Sequence, residues 1–168
     1  MSMNGVYIRL TPSELTRALH DPSWAMEYVD GLLEAESDLE QLPSTARSHR
    51  THGAWHALHF LLRRRGFPVD IVHGEEGMPG TQDRGGHGPP RCVTPDRVRI
   101  AADALSALSP AELIEGVTPG QLADAGVYPI SQWADEHSLG LVTGVYPSLV
   151  AFFRTTALRG HALLVWVD

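Results

Sequence analysis

The sequence predicts an α+β fold in which a small mixed or antiparallel sheet is packed by several helices. Segments with strand character stand at both ends of the chain, near 4–10 and 161–167, and helical segments lie between them. Strands and helices do not alternate regularly, which disfavours a doubly wound parallel sheet. We therefore expect the first and last strands to be neighbours or near neighbours. The length of 168 residues fits one domain over 1–168.

The first strand follows from a period of two, since Val6, Ile8 and Leu10 alternate with Tyr7 and Arg9. A glycine after an apolar stripe ends the predicted helices over 53–65 and 146–159. Three further segments have weaker patterns: a short buried strand over 69–72, a short strand over 91–93, and a glycine- and proline-rich loop over 73–90.

Four helix starts share one signal, a Thr or Ser that can cap the helix followed by a proline at its first position. Three of the four add a Glu or Gln three residues after the cap, which completes a capping box. A further helix begins near Asp21-Pro22, and a loose polar connection follows over 34–50. The four starts are Thr11-Pro12, Thr94-Pro95, Ser109-Pro110 and Thr118-Pro119, and their helices are expected over 12–21, 95–108, 110–115 and 119–125.

Composition excludes several classes of function. The net charge of −7 disfavours nonspecific nucleic-acid binding, which depends on neutralising phosphates. The single cysteine, Cys92, allows neither an internal disulfide nor a multi-cysteine zinc site. We find no secretory signal and no apolar run near the ~20 residues that a membrane span needs. A cytoplasmic protein without a membrane segment is therefore expected.

Segments spread over nearly the whole chain resemble, in order, the YfbM-like family of bacterial proteins of unknown function. The resemblance implies an α+β fold and no particular activity. The chain departs from the usual pattern at His52-Gly53, where the family has Asp-Lys, and at His87, where it has Tyr. The matching segments are 7–15, 54–62 with its Trp-His-x-Leu-His run, 86–91, 94–95, 127–129 with Trp133, and the closing 152–153 and 163–166.

The most distinctive pattern is a polar stripe on the helix over 53–65. His52, His56, His59 and Arg63 are spaced by four, three and four residues, so they share one helix face. Two such histidines can share a metal, but a catalytic zinc needs a third protein ligand. Since no His-Glu-x-x-His pattern is present, we favour a solvated polar face, or one histidine hydrogen-bonded inside the fold, over a bound metal. Trp55, one position away, is expected to be largely buried.

A second group of candidate ligand-binding residues comprises His59 with Arg91 and Tyr128, and His87 in the glycine loop. An arginine and a tyrosine beside a neutral histidine can bind an anionic group. Structural roles explain both side chains as well, because Arg91 can bind backbone carbonyls and Tyr128 can anchor its turn. The loop itself lacks a phosphate-binding motif, since the chain has no lysine for a Walker sequence.

No complete catalytic set is present, so we expect a non-catalytic binding or protein-interaction domain without a cofactor. An acidic segment, Glu27 to Glu40, would suit a basic protein partner. The alternative is a small hydrolase or metal-assisted enzyme that uses His56, His59 and Arg91. The candidate ligand-binding residues are His56, His59, Arg91, Tyr128 and His87.

Overall fold

Five strands form one antiparallel sheet in a computed structural model that describes residues 3–168, apart from the side chain of Glu136. The strand order is β2-β1-β5-β4-β3, so the first and last strands are direct neighbours and the predicted α+β class is confirmed. Tyr7 pairs with Val165 at the centre of the sheet. The strands are β1 (Gly5–Leu10), β2 (Ser48–Arg50), β3 (Glu76–Gly77), β4 (Arg91–Val93) and β5 (Ala162–Val167).

The described residues form seven α-helices. Their bounds are α1 (Pro12–His20), α2 (Pro22–Glu36), α3 (Trp55–Arg64), α4 (Pro95–Ser106), α5 (Pro110–Ile114), α6 (Pro119–Asp124) and α7 (Leu139–Leu158). Three-residue 3₁₀ turns lie at His52–Ala54, Ile130–Gln132 and Glu136–Ser138.

The neighbouring strands β1 and β5 are buried on both faces and have no solvent side, whereas the edge strands β2 and β3 are partly or fully exposed. One face packs Val6 and Ile8 against α1 and α2. The other packs Tyr7 and Val165 against α3, α4 and α7, and it forms the larger core. The alternation in the first strand therefore separates two cores, with helices on either side of a central sheet.

The helix starts follow their sequence signals closely. Capping boxes form at Thr11, Ser109 and Thr118, whereas Thr94 makes no side-chain cap hydrogen bond. Helix α7 begins seven residues before the predicted start and continues through Pro147. It does so because residues on the N-terminal side of the proline also have buried side chains at helical spacing, and these pack in the core. These side chains are Leu139, Val142 and Tyr146.

Three predicted segments are corrected by the structure. The expected strand over 69–72 is a turn, because the Asp70 carboxylate accepts hydrogen bonds from the backbone N–H groups of Val72 and His73. β2 lies within the expected polar connection and β3 within the expected glycine loop. Both are short edge strands, whose pairing with β1 and β4 depends on partners distant in sequence.

One stretch, His137–Leu158, is long and apolar enough to cross a membrane by length and composition, with 22 residues and a mean hydropathy of 1.2. In the fold 33% of its most apolar window is buried, and Leu149, Phe152 and Phe153 pack fully buried in the larger core. A core helix of a globular domain passes the same length and composition test. The chain folds as a globular domain.

Candidate functional site

The histidine stripe is divided by the fold. His52 precedes α3 in a 3₁₀ turn with a backbone φ of 50°, and its side chain is exposed. His56 and His59 both lie on α3, but they belong to different environments, an aromatic cleft and a polar cluster. Arg63 is exposed in the last turn. The stripe is therefore not one site.

His56 is held by a hydrogen bond that fixes its protonation. Its Nδ1 accepts the backbone N–H of Tyr128 at 2.9 Å. Burial, and then the charges of His73 and His87, lower the pKa of His56 below its usual value. A neutral imidazole whose Nδ1 is an acceptor carries its proton on Nε2. His56 thus offers a fixed N–H donor.

An aromatic cluster surrounds this histidine. As predicted, Trp55 is buried, with 5% of its surface exposed. Its ring stacks on His56 at 4.9 Å and on Tyr128 at 6.0 Å between centroids. The His87 ring meets it edge-on at 5.6 Å. The Nε1 donor of Trp55 is buried and has no hydrogen-bond partner among the described residues.

These rings border an open cleft of about 530 Å³, which we call the aromatic cleft. Met3 contacts two of its residues: the Met3 N–H donates to the Tyr128 hydroxyl at 3.0 Å, and the Met3 sulfur lies beside the His87 ring. The walls are mainly apolar and carry no carboxylate side chain. The lining residues are Met3, Trp55, His56, His87, Gly126, Tyr128, Pro129, Ile130 and Ser131.

His59 belongs to a separate polar cluster with Asp70 and His73, which we call the His–Asp–His cluster. His59 Nδ1 lies 3.8 Å from Asp70 Oδ1, and His73 Nδ1 lies 3.4 Å from Asp70 Oδ2. Burial opposes ionisation of Asp70, but hydrogen bonds and the nearby histidines outweigh it and lower its pKa to about 2. His59, Asp70 and Arg63 also line a cavity of about 290 Å³.

Arg91 belongs to neither site. Its Nε donates to the Gly74 carbonyl at 3.3 Å and its Nη2 to the Glu75 carbonyl at 2.6 Å. It is not among the residues that line the aromatic cleft or the cavity beside His59. The fold brings His56, His87 and Tyr128 together, and it places His59 and Arg91 elsewhere.

Comparison with known proteins identifies the family. A family model described as a domain of unknown function, DUF1877, matches residues 1–166. The chain belongs to the DUF1877 family. The crystal structure of YfbM from Escherichia coli, a protein of unknown function, is similar over 99% of both chains, with 16% identity and a TM-score of 0.65. This likeness shows the fold alone. No curated protein matches the chain.

Membership of DUF1877 confirms the family resemblance found in the sequence and adds no activity. Two members of the His–Asp–His cluster, Asp70 and His73, were missed by the sequence analysis. Their Asp-x-x-His spacing was the available signal. A strand over 69–72 would have placed neighbouring side chains on alternate faces, whereas the actual turn gathers them.

The acidic segment of this DUF1877 domain is partly used within the fold. Asp30 pairs with Arg84. Glu36 accepts hydrogen bonds from the backbone N–H groups of Arg47 and Ser48, at 2.7 and 2.9 Å. Those contacts attach α2 to the glycine loop and to β2. The charge available to a basic partner is correspondingly reduced.

Proposed function

We propose that this protein is a non-catalytic, cytoplasmic binding domain whose ligand occupies the aromatic cleft. The ligand class is a small molecule with a flat apolar ring and one hydrogen-bond acceptor. The observation that carries the proposal is the hydrogen bond from the Tyr128 N–H to His56 Nδ1, because it leaves the Nε2–H of His56 as a donor beside apolar walls.

The walls of the cleft favour a flat ring. The rings of His56, Trp55 and Tyr128 are nearly parallel, with interplanar angles of 10° and 26° to Trp55. Ile130, 61% exposed, adds an uncovered apolar side chain at the rim. Concave, mainly apolar sites with a few placed polar groups are the usual form of small-molecule sites.

The polar groups favour an acceptor on that ring. His56 supplies an N–H donor, and the Tyr128 hydroxyl, whose oxygen accepts from the Met3 N–H, keeps its own proton for donation. No carboxylate lines the cleft, so none would repel the lone pair of an acceptor on the ligand.

The burial and the raised pKa of Cys92 agree with a non-catalytic role. Cys92 is buried on the face of the sheet that packs against α1 and α2, away from Trp55. Burial, and then the charge of Glu76, raise the pKa of its thiol to about 11. A thiol in that state is a poor nucleophile.

Titration with quinoline, observed by ¹H–¹⁵N NMR, tests the proposal. Quinoline has a flat ring with one acceptor nitrogen, and naphthalene has the same shape without it. We expect quinoline to shift the amide signals of 126–131 and the indole signal of Trp55 with millimolar affinity, and naphthalene to bind more weakly. His56→Ala should remove that difference.

A matched pair of surface variants provides the control. Ile130→Asp places a charge at the rim of the cleft and should abolish quinoline binding. Leu158→Asp changes a residue that is 86% exposed on α7 and should leave binding unchanged. Equal quinoline binding by the two variants, or signal shifts confined to other regions, would contradict the proposal.

A further inference from the structure

The His–Asp–His cluster combines side chains from two adjacent elements. α3 supplies His59, and the turn that follows this helix supplies Asp70 and His73. The two imidazole rings stand almost perpendicular, with centroids 4.5 Å apart and an interplanar angle of 84°. One ligand atom from each residue can be chosen so that all three lie within 4.8 Å of one another.

The carboxylate at the centre of this cluster is already oriented. Asp70 Oδ1 accepts the backbone N–H groups of Val72 and His73, at 3.2 and 3.0 Å. Such bonds fix a ligating carboxylate before the metal arrives. Its second oxygen, Oδ2, points to the His73 side, where Nδ1 lies 3.4 Å away.

From this geometry we propose that His59, Asp70 and His73 bind one divalent cation of the zinc class. Imidazole nitrogens and a carboxylate oxygen are ligands that Zn²⁺ takes at about 2.0–2.2 Å. Ligand atoms around a tetrahedral ion are then about 3.3 Å apart. Small side-chain rotations close the remaining separation, since all three side chains are partly exposed.

Three protein ligands leave one position of a tetrahedral ion for water or another small ligand. That position is accessible, because His59 and Asp70 also line the cavity of about 290 Å³. The site is distinct from the aromatic cleft, since none of His59, Asp70 and His73 lines it. The two adjoin at Trp55, whose ring meets that of His73 edge-on at 6.3 Å between centroids.

Calorimetric titration of the tag-free protein with ZnCl₂ tests the proposal. We expect one Zn²⁺ per chain, bound in or below the micromolar range, and the visible absorption of four-coordinate Co²⁺ when cobalt is used instead. His59→Ala and His73→Ala should each weaken Zn²⁺ binding more than about 100-fold, since loss of a mere supporting partner costs 10–100-fold. Asp70→Asn, which keeps an acceptor for the turn, should do likewise.

His137→Ala is the matched control. His137 Nδ1 lies 3.1 Å from Asp135 Oδ1, but this His–Asp pair has no second histidine with it among the described residues. Its loss should leave Zn²⁺ affinity and stoichiometry unchanged. Thermal unfolding without metal checks that each variant is folded. If His59→Ala does not fold, His73→Ala, which lies on the turn, decides the result. Absence of stoichiometric binding by the parent, or parental affinity in folded His73→Ala, would overturn the proposal.

Discussion

The guanidinium of Arg9 lies against the ring of Phe152, with its central carbon 4.2 Å from the ring centroid, and its Nη2 donates to the Phe152 carbonyl at 3.2 Å. Arg9 is fully buried on β1, and it also donates to Thr156 Oγ1 at 2.9 Å and to the Ala46 carbonyl at 2.6 Å. Burial, and then the charges of Arg159 and Arg47, lower its pKa to about 10. One side chain thus joins β1, α7 and the segment before β2.

Replacing Arg9 should destabilise the fold strongly. In Arg9→Met the buried carbonyls and hydroxyl lose their donors, and we expect the free energy of unfolding to fall by about 2–4 kcal/mol. Urea unfolding measures it. Arg154→Met, on the exposed side of α7, is the control and should change stability by less than about 0.5 kcal/mol. Equal losses in both variants would show that the Arg9 contacts do not stabilise the fold.

His49 should make the fold sensitive to acid. Its ring stacks on Phe152 at 5.2 Å, and burial, then the charges of His52 and Arg9, lower its pKa from 6.5 to about 4. As pH falls below 6.5, His49 is protonated in the unfolded chain but stays neutral in the folded one. The free energy of unfolding therefore decreases from about pH 6.5 down to about pH 4. The loss between about pH 7 and pH 5 is about 2 kcal/mol for this group.

His49→Phe isolates that contribution, because it keeps a flat ring against Phe152 without a titrating nitrogen. Denaturant unfolding of the parent and the variant at several pH values gives the comparison. We expect the variant to lose about 2 kcal/mol less than the parent over the same interval. An identical pH dependence would assign the acid sensitivity to other groups, such as His161, whose pKa is also lowered by burial.

Arg91 should stabilise the loop before β4. It donates two hydrogen bonds to the carbonyls of Gly74 and Glu75 from an exposed position. Arg91→Ala should therefore lower the free energy of unfolding by about 1–2 kcal/mol. Arg99→Ala, which removes an exposed ion pair with Asp96 on α4, is expected to cost less than about 1 kcal/mol. If Arg91→Ala is as stable as the parent, these hydrogen bonds do not stabilise the fold. The Arg91 guanidinium of the parent would then be available for an anionic ligand.

Gly74 and Gly86 form a matched pair of substitutions in the same loop. Both have positive φ, 81° and 85°, so alanine is strained at either position. At Gly74 an added Cβ would lie 2.7 Å from Arg91 Cβ, whereas at Gly86 it meets nothing within 4 Å. Gly86→Ala should cost about 1 kcal/mol and Gly74→Ala about 3 kcal/mol. Thermal unfolding that gives equal costs would contradict the close packing of Arg91 on Gly74.

Local signals in the sequence determined the elements that depend on nearby residues. The capping boxes at Thr11, Ser109 and Thr118 bind atoms only three residues away, so their residue types suffice to predict them. The alternation of Val6, Ile8 and Leu10 likewise predicted β1, and the closing run of Leu, Val and Trp predicted β5. The family resemblance also followed from the sequence, since it depends on the order of its segments.

Tertiary structure alone decided the edge strands and the sites. β2 and β3 are too short to leave a pattern, and they form because a buried strand offers them partners. The alternation in β1 places Arg9 opposite the apolar residues, as expected of a surface side chain. Arg9 is nevertheless buried, because four acceptors from distant segments bind its guanidinium. His56 meets Tyr128 across 72 residues and His59 meets Asp70 only through a turn, so long-range packing, which no local pattern encodes, assembled both sites.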